Sequence, residues 1–236
     1  MTESRAMARA VQLFPTCLGE LVLPEAVADA RALLEGAGFD VVIPRGHVCC
    51  GQPAFNAGHR SAARRVARRF VRAFSPEVPV VVPSGSCATM LAHYLPELLA
   101  GAPRFDVWEL SAFLAREEPK LAETNAGARL AYHDSCHMLR ELGVEAQPRR
   151  LLEASGATIV PLPRPDLCCG FGGTFSVRQP EVSVALADDK LGGAANAEAL
   201  VTADPGCLMH LRGRAERVGG PRIVHLATAL ARGAQA

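Results

Sequence analysis

The sequence predicts an α/β protein made of two tandem, duplicated domains, each with a parallel sheet flanked by helices. Short apolar segments alternate with helical segments along the whole chain, which is typical of parallel sheets. All eight cysteines also fall into two sets of four with one spacing rule, and equivalent cysteines lie 119, 119, 119 and 120 residues apart. This self-similarity indicates an internal duplication. We place the first domain at residues 1–117 and the second at residues 128–236.

Each set contains an isolated cysteine, a vicinal pair followed by glycine, and a second isolated cysteine. The first set is Cys17, Cys49, Cys50 and Cys87, and the second is Cys136, Cys168, Cys169 and Cys207. Adjacent cysteines are poor disulfide partners because their Cα atoms lie about 3.8 Å apart, below the usual range of roughly 4.4–6.8 Å. The vicinal pairs therefore favour metal binding, and the following glycine lets the chain turn close to a bulky ligand.

In the first half, the pattern predicts four strands and four helices. The strands are predicted at residues 11–14, 39–43, 78–82 and 105–108, and the helices at 23–36, 59–74, 88–100 and 110–116. In the helix at 23–36, Val27, Ala30 and Leu34 share one apolar face, and Gly38 follows its end. The polar segment 117–127 is predicted to link the two domains.

The second half repeats this order of elements. Strands are predicted at residues 129–133, 157–162 and 199–202, with 222–226 matching the fourth strand of the first half. Helices are predicted at 148–155, 181–197 and 208–217, and residues 228–230 match the start of the last first-half helix. The two halves therefore predict the same fold.

Every cysteine is predicted to lie after a strand and before a helix. The carboxyl ends of parallel strands line up along one edge of a sheet, where ligands bind. Neighbouring strands are about 4.8 Å apart, so three adjacent loops in each half can bring four sulfurs together. Helix N-termini also favour the thiolate form of cysteine. The spacing pattern therefore predicts two metal sites, each at the carboxyl edge of a sheet.

Four thiolates suit either zinc or an iron–sulfur cluster. Structural zinc sites usually contain cysteines separated by two residues, and neither half has that spacing. Ligands on loops more than 30 residues apart favour a cluster held by a folded scaffold. Three interpretations remain: an iron–sulfur protein, a non-enzymatic scaffold stabilised by zinc, and a metal-free thiol–disulfide enzyme that uses the vicinal pairs.

Composition limits the classes of partner. The chain has 236 residues, 49% hydrophobic content and a formal charge of +1, so its net charge indicates neither nucleic acid nor a membrane surface. No apolar run approaches the roughly 20 residues of a membrane span. Residues 1–13 lack the apolar region of a signal peptide, so we expect a cytoplasmic protein. In that reducing compartment, spaced cysteines bind metal or catalyse more often than they form disulfides.

Polar residues flank the first cysteine of the second set. His133, Asp134 and His137 lie beside Cys136. They could form hydrogen bonds that tune a cluster or handle a proton of a hydroxy-acid substrate. The alternative is a polar turn that caps the following helix through Asp134 or Ser135. The sequence contains no visible Ser-His-Asp or paired-carboxylate arrangement, and we assign no catalytic residue.

Two other segments each have two interpretations. Residues 171–174, Phe-Gly-Gly-Thr, could cradle a phosphate, but closely packed backbone beside a metal site is favoured because no dinucleotide fingerprint is present. A band of six arginines at helical spacing is either a solvated helix face or a docking surface for an acidic partner. These arginines are Arg60, Arg64, Arg65, Arg68, Arg69 and Arg72.

Five motifs resemble those of the cysteine-rich (CCG) domain proteins. This family includes the cysteine-rich subunit of heterodisulfide reductase and the iron–sulfur subunits of glycolate oxidase and anaerobic glycerol-3-phosphate dehydrogenase. The motifs are Phe14-Pro15-Thr16-Cys17, Cys49-Cys50-Gly51-Gln52-Pro53-Ala54, Pro83-Ser84-Gly85-Ser86-Cys87, Tyr132-His133-Asp134-Ser135-Cys136-His137 and Cys168-Cys169-Gly170-Phe171-Gly172-Gly173. With two such domains and little else, the chain is most similar to the lactate-utilization branch of the family.

The resemblance implies an iron–sulfur electron-transfer subunit of a multi-protein complex that oxidises L-lactate to pyruvate. Each set of four cysteines would hold one cluster, so the chain would carry one or two clusters of the 4Fe-4S type. The implied partners are a ferredoxin-like iron–sulfur protein and a third small subunit. Glycolate, glycerol-3-phosphate and a heterodisulfide remain as alternative substrates.

One departure from the family pattern concerns the cluster type. In the fullest family motif, a further cysteine lies three residues after the last cysteine of each set. This chain has Met90 and His210 at those two positions. A four-cysteine cluster, or a site with fewer ligands, therefore fits better than a five-thiolate cluster. His210 could be a ligand, or it could face a neighbouring helix.

Overall fold

The computed structural model describes residues 9–46 and 49–236. Residues 1–8, which belong to the N-terminal segment interpreted above, lie outside this range, as does His47. The described residues contain two four-stranded parallel sheets with the strand orders β2-β1-β3-β4 and β6-β5-β7-β8. Because the two orders are equivalent, they confirm the predicted α/β class and the duplication.

The strands of both sheets lie close to their predicted positions. The first sheet contains β1 (Arg9–Leu13), β2 (Phe39–Val42), β3 (Val80–Val82) and β4 (Val107–Glu109). The second contains β5 (Arg129–His133), β6 (Thr158–Val160), β7 (Ala199–Thr202) and β8 (Arg222–His225). The register pairs Gln12 with Val80 in one sheet and Ala131 with Leu200 in the other. The duplication relates these two pairs, so even the strand register is repeated.

Helices cover both faces of the sheets. In the first half they are α1 (Cys17–Val22), α2 (Pro24–Gly36), α3 (Gln52–Asn56), α4 (Arg60–Ala73), α5 (Gly85–Thr89), α6 (Leu95–Leu98) and α7 (Leu110–Glu117). In the second half they are α8 (Ala146–Ala154), α9 (Thr174–Arg178), α10 (Pro180–Gly193), α11 (Pro205–Val218) and α12 (Leu226–Arg232). Two π-helical turns, Met90–Tyr94 and Met138–Leu142, complete the set.

The structure differs from the predicted helices in two respects. The helix predicted at 88–100 begins earlier, at Gly85, and is interrupted by the π-helical turn Met90–Tyr94. Such a turn inserts one residue and leaves the apolar pattern nearly unchanged, so periodicity does not reveal it. The short helices α1, α3 and α9 have five or six residues each, too few for an apolar stripe to be recognised.

The two sheets share one hydrophobic core. Its buried residues include Leu13 and Leu34 from the first half and Leu130, Tyr132 and Leu230 from the second. Helix α2 packs against α12, and α7 packs against α8. The duplication relates α2 to α8 and α7 to α12, so the contact between the halves is itself approximately symmetric. The two sheets are therefore held in a defined orientation, which sets the direction in which their cysteine edges face.

The polar segment predicted to link the domains contributes to this packing. Asn125 is buried, and its Nδ2 donates to Ser155 Oγ at 2.8 Å and to the Ala229 carbonyl at 2.8 Å. Its Oδ1 accepts from the Ala234 amide at 2.8 Å. The domain boundaries placed around this segment stay a prediction.

Glu109 makes folding stability sensitive to pH. Its carboxylate caps α7 by accepting from the amides of Ser111 (2.8 Å) and Ala112 (3.2 Å). Complete burial raises the pKa of Glu109 from its usual 4.5 to about 7, with a smaller contribution from Asp204. The folded state therefore binds more protons than the unfolded state between these two values, and the contribution of Glu109 to stability falls as pH rises through this window.

Between pH 5 and pH 8, the difference in unfolding free energy between Glu109→Gln and the wild type is expected to shift by about 2 kcal/mol in favour of the variant. Glutamine keeps an oxygen for the cap and carries no charge into the core. Urea unfolding of the metal-free protein at both pH values measures this. Titration of the histidines affects both proteins alike and cancels in the comparison. A stability difference that is the same at pH 5 and pH 8 would therefore contradict the argument.

Candidate metal centre

All eight cysteines line one cavity between the carboxyl ends of the two sheets. The cavity has a volume of about 250 Å³, and its wall contains both sets of four. A wider surface depression of about 630 Å³ beside α11 and β8 contains none of the eight. The sequence predicts two separate cysteine clusters at sheet edges. The structure brings these edges face to face across a common space.

Helix caps hold three of the cysteines in the first turns of helices. Cys17 is the first residue of α1, and the Thr16 hydroxyl caps that helix by accepting from the Gly19 amide at 2.9 Å. The Ser84 hydroxyl accepts from the Cys87 amide at 3.3 Å at the start of α5. Cys207 is the third residue of α11. These cysteines lie inside the first turns rather than before the helices, and the caps fix the direction of the helix starts.

The sulfurs of the first quartet form a continuous series of contacts. The Cys49 sulfur contacts those of Cys17 and Cys50, and the Cys50 sulfur also contacts that of Cys87. Hydrogen bonds from the Cys17 and Cys50 thiols lower the pKa of Cys49 to about 3. The Gly51 amide also donates to the Cys49 sulfur, at 3.4 Å. The contact with Cys49 and burial raise the pKa of Cys17, so Cys49 carries the thiolate of this quartet.

The second quartet repeats this arrangement. Hydrogen bonds from Cys136 and Cys169 lower the pKa of Cys168 to about 2. The Gly170 amide donates to the Cys168 sulfur at 3.3 Å, and the Phe171 amide donates to the Cys169 sulfur at 3.5 Å. The sulfurs of Cys169 and Cys207 lie 3.1 Å apart. Each half thus presents four converging sulfurs with one favoured thiolate.

The glycine after each vicinal pair adopts a left-handed conformation. Gly51 and Gly170 both have φ of 93°, a region that side chains other than glycine rarely enter. A Cβ on Gly51 would lie 3.5 Å from Val66, which is ordinary contact. A Cβ on Gly170 would collide with the backbone carbonyl of Ser183. Both turns therefore need glycine for its backbone conformation, and the turn at Gly170 also has no room for a side chain.

Gly170→Ala is expected to destabilise the protein by about 4 kcal/mol or more, and Gly51→Ala by about 1–2 kcal/mol. Only the Gly170 variant adds a collision with rigid backbone to the conformational strain that both share. Urea unfolding of the two variants, compared with the wild type, measures the difference. Equal losses would contradict the packing argument for Gly170.

Polar side chains join the two halves at the rim of the cavity. The Asp204 carboxylate accepts from the Gly206 amide in its own half at 3.1 Å and from the Ser86 amide of the other half at 2.8 Å. Gln52 Nε2 lies 3.0 Å from His137 Nε2. Sequence reasoning did not identify Asp204 or Gln52. The Asp-Pro-Gly start of α11 is a recognisable cap signal, but nothing in the sequence indicates the contact across the halves.

The polar residues around Cys136 have separate roles. Asp134 is buried and accepts two hydrogen bonds from Arg149, at 2.8 and 2.6 Å, so it anchors α8 rather than capping a helix. His137 Nδ1 lies 3.5 Å from the Cys136 sulfur. His133 is completely buried, and neither of its ring nitrogens has a hydrogen-bond partner within residues 9–46 and 49–236. Burial lowers the pKa of His133 to about 3, so the ring is neutral.

The other candidate histidine faces a helix. His210 Nε2 lies 3.1 Å from the Ser183 hydroxyl and 3.3 Å from the Ser183 carbonyl oxygen on α10. The structure therefore favours the second interpretation of His210, as a residue that contacts a neighbouring helix. Lys190 on the same helix was not identified from the sequence. It is buried and donates to the carbonyls of Arg164 (2.6 Å) and Pro165 (3.1 Å), which fixes the loop leading to Cys168.

The donor set fits a thiolate-bound metal group. In each half four sulfurs converge, one is stabilised as a thiolate, and a backbone amide donates to it. The remaining thiols are held within contact distance and would lose their protons to a metal. All eight cysteines are free of disulfides. Which metal group they hold stays a prediction.

A family model and curated proteins resemble this chain over most of its length. The model described as "Cysteine-rich domain" (CCG) matches residues 11–92 and 130–212. "Lactate utilization protein A" of Geobacillus kaustophilus (strain HTA426) is 42% identical over 93% of this chain and 98% of its own length. "Lactate utilization protein A" of Geobacillus thermodenitrificans (strain NG80-2) is 40% identical over the same shares. "Lactate utilization protein A 2" of Bacillus cereus (strain Q1) is 36% identical over 94% and 98%.

Similarity to solved structures is weaker. Picrophilus torridus aspartate racemase is 9% identical, with a TM-score of 0.44 over 95% of this chain and 91% of the racemase.

Among the described residues, no helix combines the length and the apolar character that crossing a bilayer requires.

Proposed function

Because this chain belongs to the family of proteins with the cysteine-rich (CCG) domain, we propose that it is an iron–sulfur subunit of a multi-protein complex that oxidises L-lactate to pyruvate. The observation that carries the proposal is the convergence of both cysteine quartets on one cavity. The names of relatives that are 36–42% identical over nearly the whole chain support lactate as the substrate. We propose a cytoplasmic location, because a reducing compartment keeps spaced cysteines available to bind metal.

The residues of the chain would hold and tune two iron–sulfur groups. Cys17, Cys49, Cys50 and Cys87 would bind one group, and Cys136, Cys168, Cys169 and Cys207 the other. Such groups, when bound, accept and release electrons singly. The amides of Gly51 and Gly170 donate to ligand sulfurs and stabilise negative charge there. Burial of Cys50, Cys87, Cys169 and Cys207 keeps water from half of the ligands.

Anaerobic purification tests the proposal. The protein is expected to be brown, with about four iron and four sulfide ions per quartet. Its electron paramagnetic resonance (EPR) spectrum should change when L-lactate is added together with the partner subunits, and glycolate or glycerol-3-phosphate should act less well. A colourless, iron-free anaerobic preparation would contradict the proposal.

Two outcomes would select other functions. Stoichiometric zinc without iron, with unfolding by a chelator, would select a zinc-stabilised scaffold. The thiolates favoured at Cys49 and Cys168 also suit a thiol–disulfide enzyme. Iron-free protein whose redox activity is lost when both vicinal pairs are alkylated would select that function. Activity that survives this alkylation would eliminate it.

The exposed arginines of helix α4 suit an acidic partner, the second of the two interpretations given above. Arg65, Arg68, Arg69 and Arg72 are exposed and have no hydrogen bond or ion pair within the described part of the chain. Arg60 differs because it lies against the Phe55 ring at 3.7 Å. Four unpaired guanidinium groups on one helix complement a negatively charged surface. We propose that the ferredoxin-like subunit binds this face of α4.

Arg68→Glu with Arg69→Glu is expected to weaken binding of that subunit about tenfold at low salt, because two attractions become repulsions. The matched control is Arg104→Glu with Lys120→Glu, which makes the same change in net charge at exposed positions outside α4. Surface plasmon resonance at two salt concentrations measures the effect, which salt should reduce. Equal weakening by both pairs would contradict the placement.

A further inference from the structure

His133 lies among the ligands of the second quartet without a partner of its own. It is the last residue of β5 and is 0% exposed. One ring nitrogen of His133 and the sulfurs of Cys169 and Cys207 all lie within 4.8 Å of one another. Neither ring nitrogen has a hydrogen-bond partner in the described residues. A buried imidazole in this state costs stability unless a ligand satisfies it.

The neighbouring strand presents a second unpartnered polar atom. Thr202 ends β7 and pairs with His133 in the sheet register. The Thr202 hydroxyl is buried and has no hydrogen-bond partner in residues 9–46 and 49–236. Side chains of register partners project from the same face of a sheet. The carboxyl edge of the second sheet therefore directs two unsatisfied polar groups to one place.

The first half has apolar residues at the equivalent positions. The duplication relates His133 to Phe14 and Thr202 to Val82. Phe14 is completely buried, and its ring packs against those of Phe70 (5.9 Å) and Phe74 (5.6 Å). The strand positions behind the first quartet are thus filled by a packed aromatic cluster. The two quartets have equivalent sulfurs but different surroundings.

We propose that the second quartet is a mixed nitrogen–sulfur site, in which a ring nitrogen of His133 coordinates the metal group that Cys169 and Cys207 also bind. The first quartet holds its metal group by sulfur alone. This inference rests on the proposed function only in requiring that the second quartet binds a metal. The nearby histidines have other partners, since His210 contacts Ser183 and His137 contacts Gln52.

A neutral imidazole ligand changes the properties of the group it binds. It adds a donor atom without adding negative charge, whereas each thiolate adds one. The second site therefore differs from the first in its set of donor atoms. The duplication would thus have produced two unequal sites from one sulfur pattern.

Pulsed EPR on the full chain tests the ligation directly. Protein labelled with ¹⁵N at histidine is expected to show a strongly coupled nitrogen after the second site is loaded with iron and sulfide and reduced. His133→Leu and His133→Phe should lose this coupling, whereas His137→Asn and His210→Asn should keep it. A wild-type spectrum without strong nitrogen coupling, or coupling that survives in both His133 variants, would overturn the proposal.

Cobalt(II) separates this proposal from the iron–sulfur function. Titration with Co²⁺ should show two binding phases, of which His133→Leu weakens one at least tenfold. Without metal, the same variant should melt at an equal or higher temperature, since an unsatisfied buried group is removed. A melting temperature that falls equally with and without Co²⁺ would mark a merely structural residue and overturn the proposal. If the protein never takes up iron, the proposed iron–sulfur function fails. Co²⁺ bound through the His133 nitrogen in that same protein would still support the role of His133 as a ligand.

Discussion

Cys168→Ser with Cys169→Ser is expected to remove half of the bound iron and sulfide, and Cys49→Ser with Cys50→Ser to remove the other half. The sulfur contacts run within each quartet: Cys49 contacts Cys17 and Cys50, and Cys168 contacts Cys136 and Cys169. Each double substitution therefore removes two of the four cysteines from one site and none from the other. Iron and sulfide analysis of anaerobic protein should give about four of each per chain in both variants, against about eight in the wild type.

The control is Ser86→Ala, which changes a cavity-lining residue that offers no sulfur. It should retain all of the iron. Because Cys169 is buried, serine there could also disturb packing, and Cys168→Ser alone provides a milder variant with the thiolate position removed. Loss of all iron from either double variant, with circular dichroism unchanged, would contradict two independent sites. It would instead indicate one metal group shared across the cavity.

The positions of the cysteines in the fold could be predicted because two simple rules apply to them. The offsets of 119 and 120 residues identify equivalent cysteines without any structure. The alternation of strands and helices then places each cysteine at the carboxyl edge of a parallel sheet. Strands β5 and β7 were predicted with the bounds observed, 129–133 and 199–202. Local patterns were sufficient for these features.

The common cavity could not be predicted, because it depends on how the two sheets are oriented. That orientation is set by packing of α2 against α12 and of α7 against α8, and by contacts such as Arg232 Nε to Asp29 Oδ1 at 2.6 Å. The amphipathic pattern of a helix shows which face is buried but not which element covers it. Contacts between distant segments leave no comparable periodic signal.

His133 and Asp134 show the same limit at the level of single residues. Both are polar, adjacent in the chain and close to Cys136, and the sequence favours a metal-tuning role and a capping role equally. In the structure Asp134 is paired with Arg149, whereas His133 has no partner in the described residues. The comparison of equivalent positions, His133 with Phe14, was available from the duplication and would have distinguished His133. The partner of Asp134 could be identified only from the fold.

Arg149→Met is expected to destabilise the protein by about 3–5 kcal/mol. The Asp134 side chain is 1% exposed and accepts hydrogen bonds of 2.8 and 2.6 Å from both terminal nitrogens of Arg149. Removing the guanidinium leaves a buried carboxylate without a counterion. This lowers the free energy of unfolding by far more than the intact ion pair contributes to it. The Arg149 guanidinium also lies 5.3 Å from the centre of the Tyr132 ring, so some packing is lost too.

Urea unfolding of the metal-free protein measures this loss, and two further variants identify its cause. Arg149→Met combined with Asp134→Asn should recover most of the stability, because the buried charge is then absent. Arg150→Met removes an exposed neighbouring arginine and should change stability by no more than about 0.5 kcal/mol. A double variant as unstable as Arg149→Met would contradict the charge argument. Because Asp134 lies two residues before Cys136, Arg149→Met should also weaken Co²⁺ binding at the second quartet and leave the first quartet unchanged.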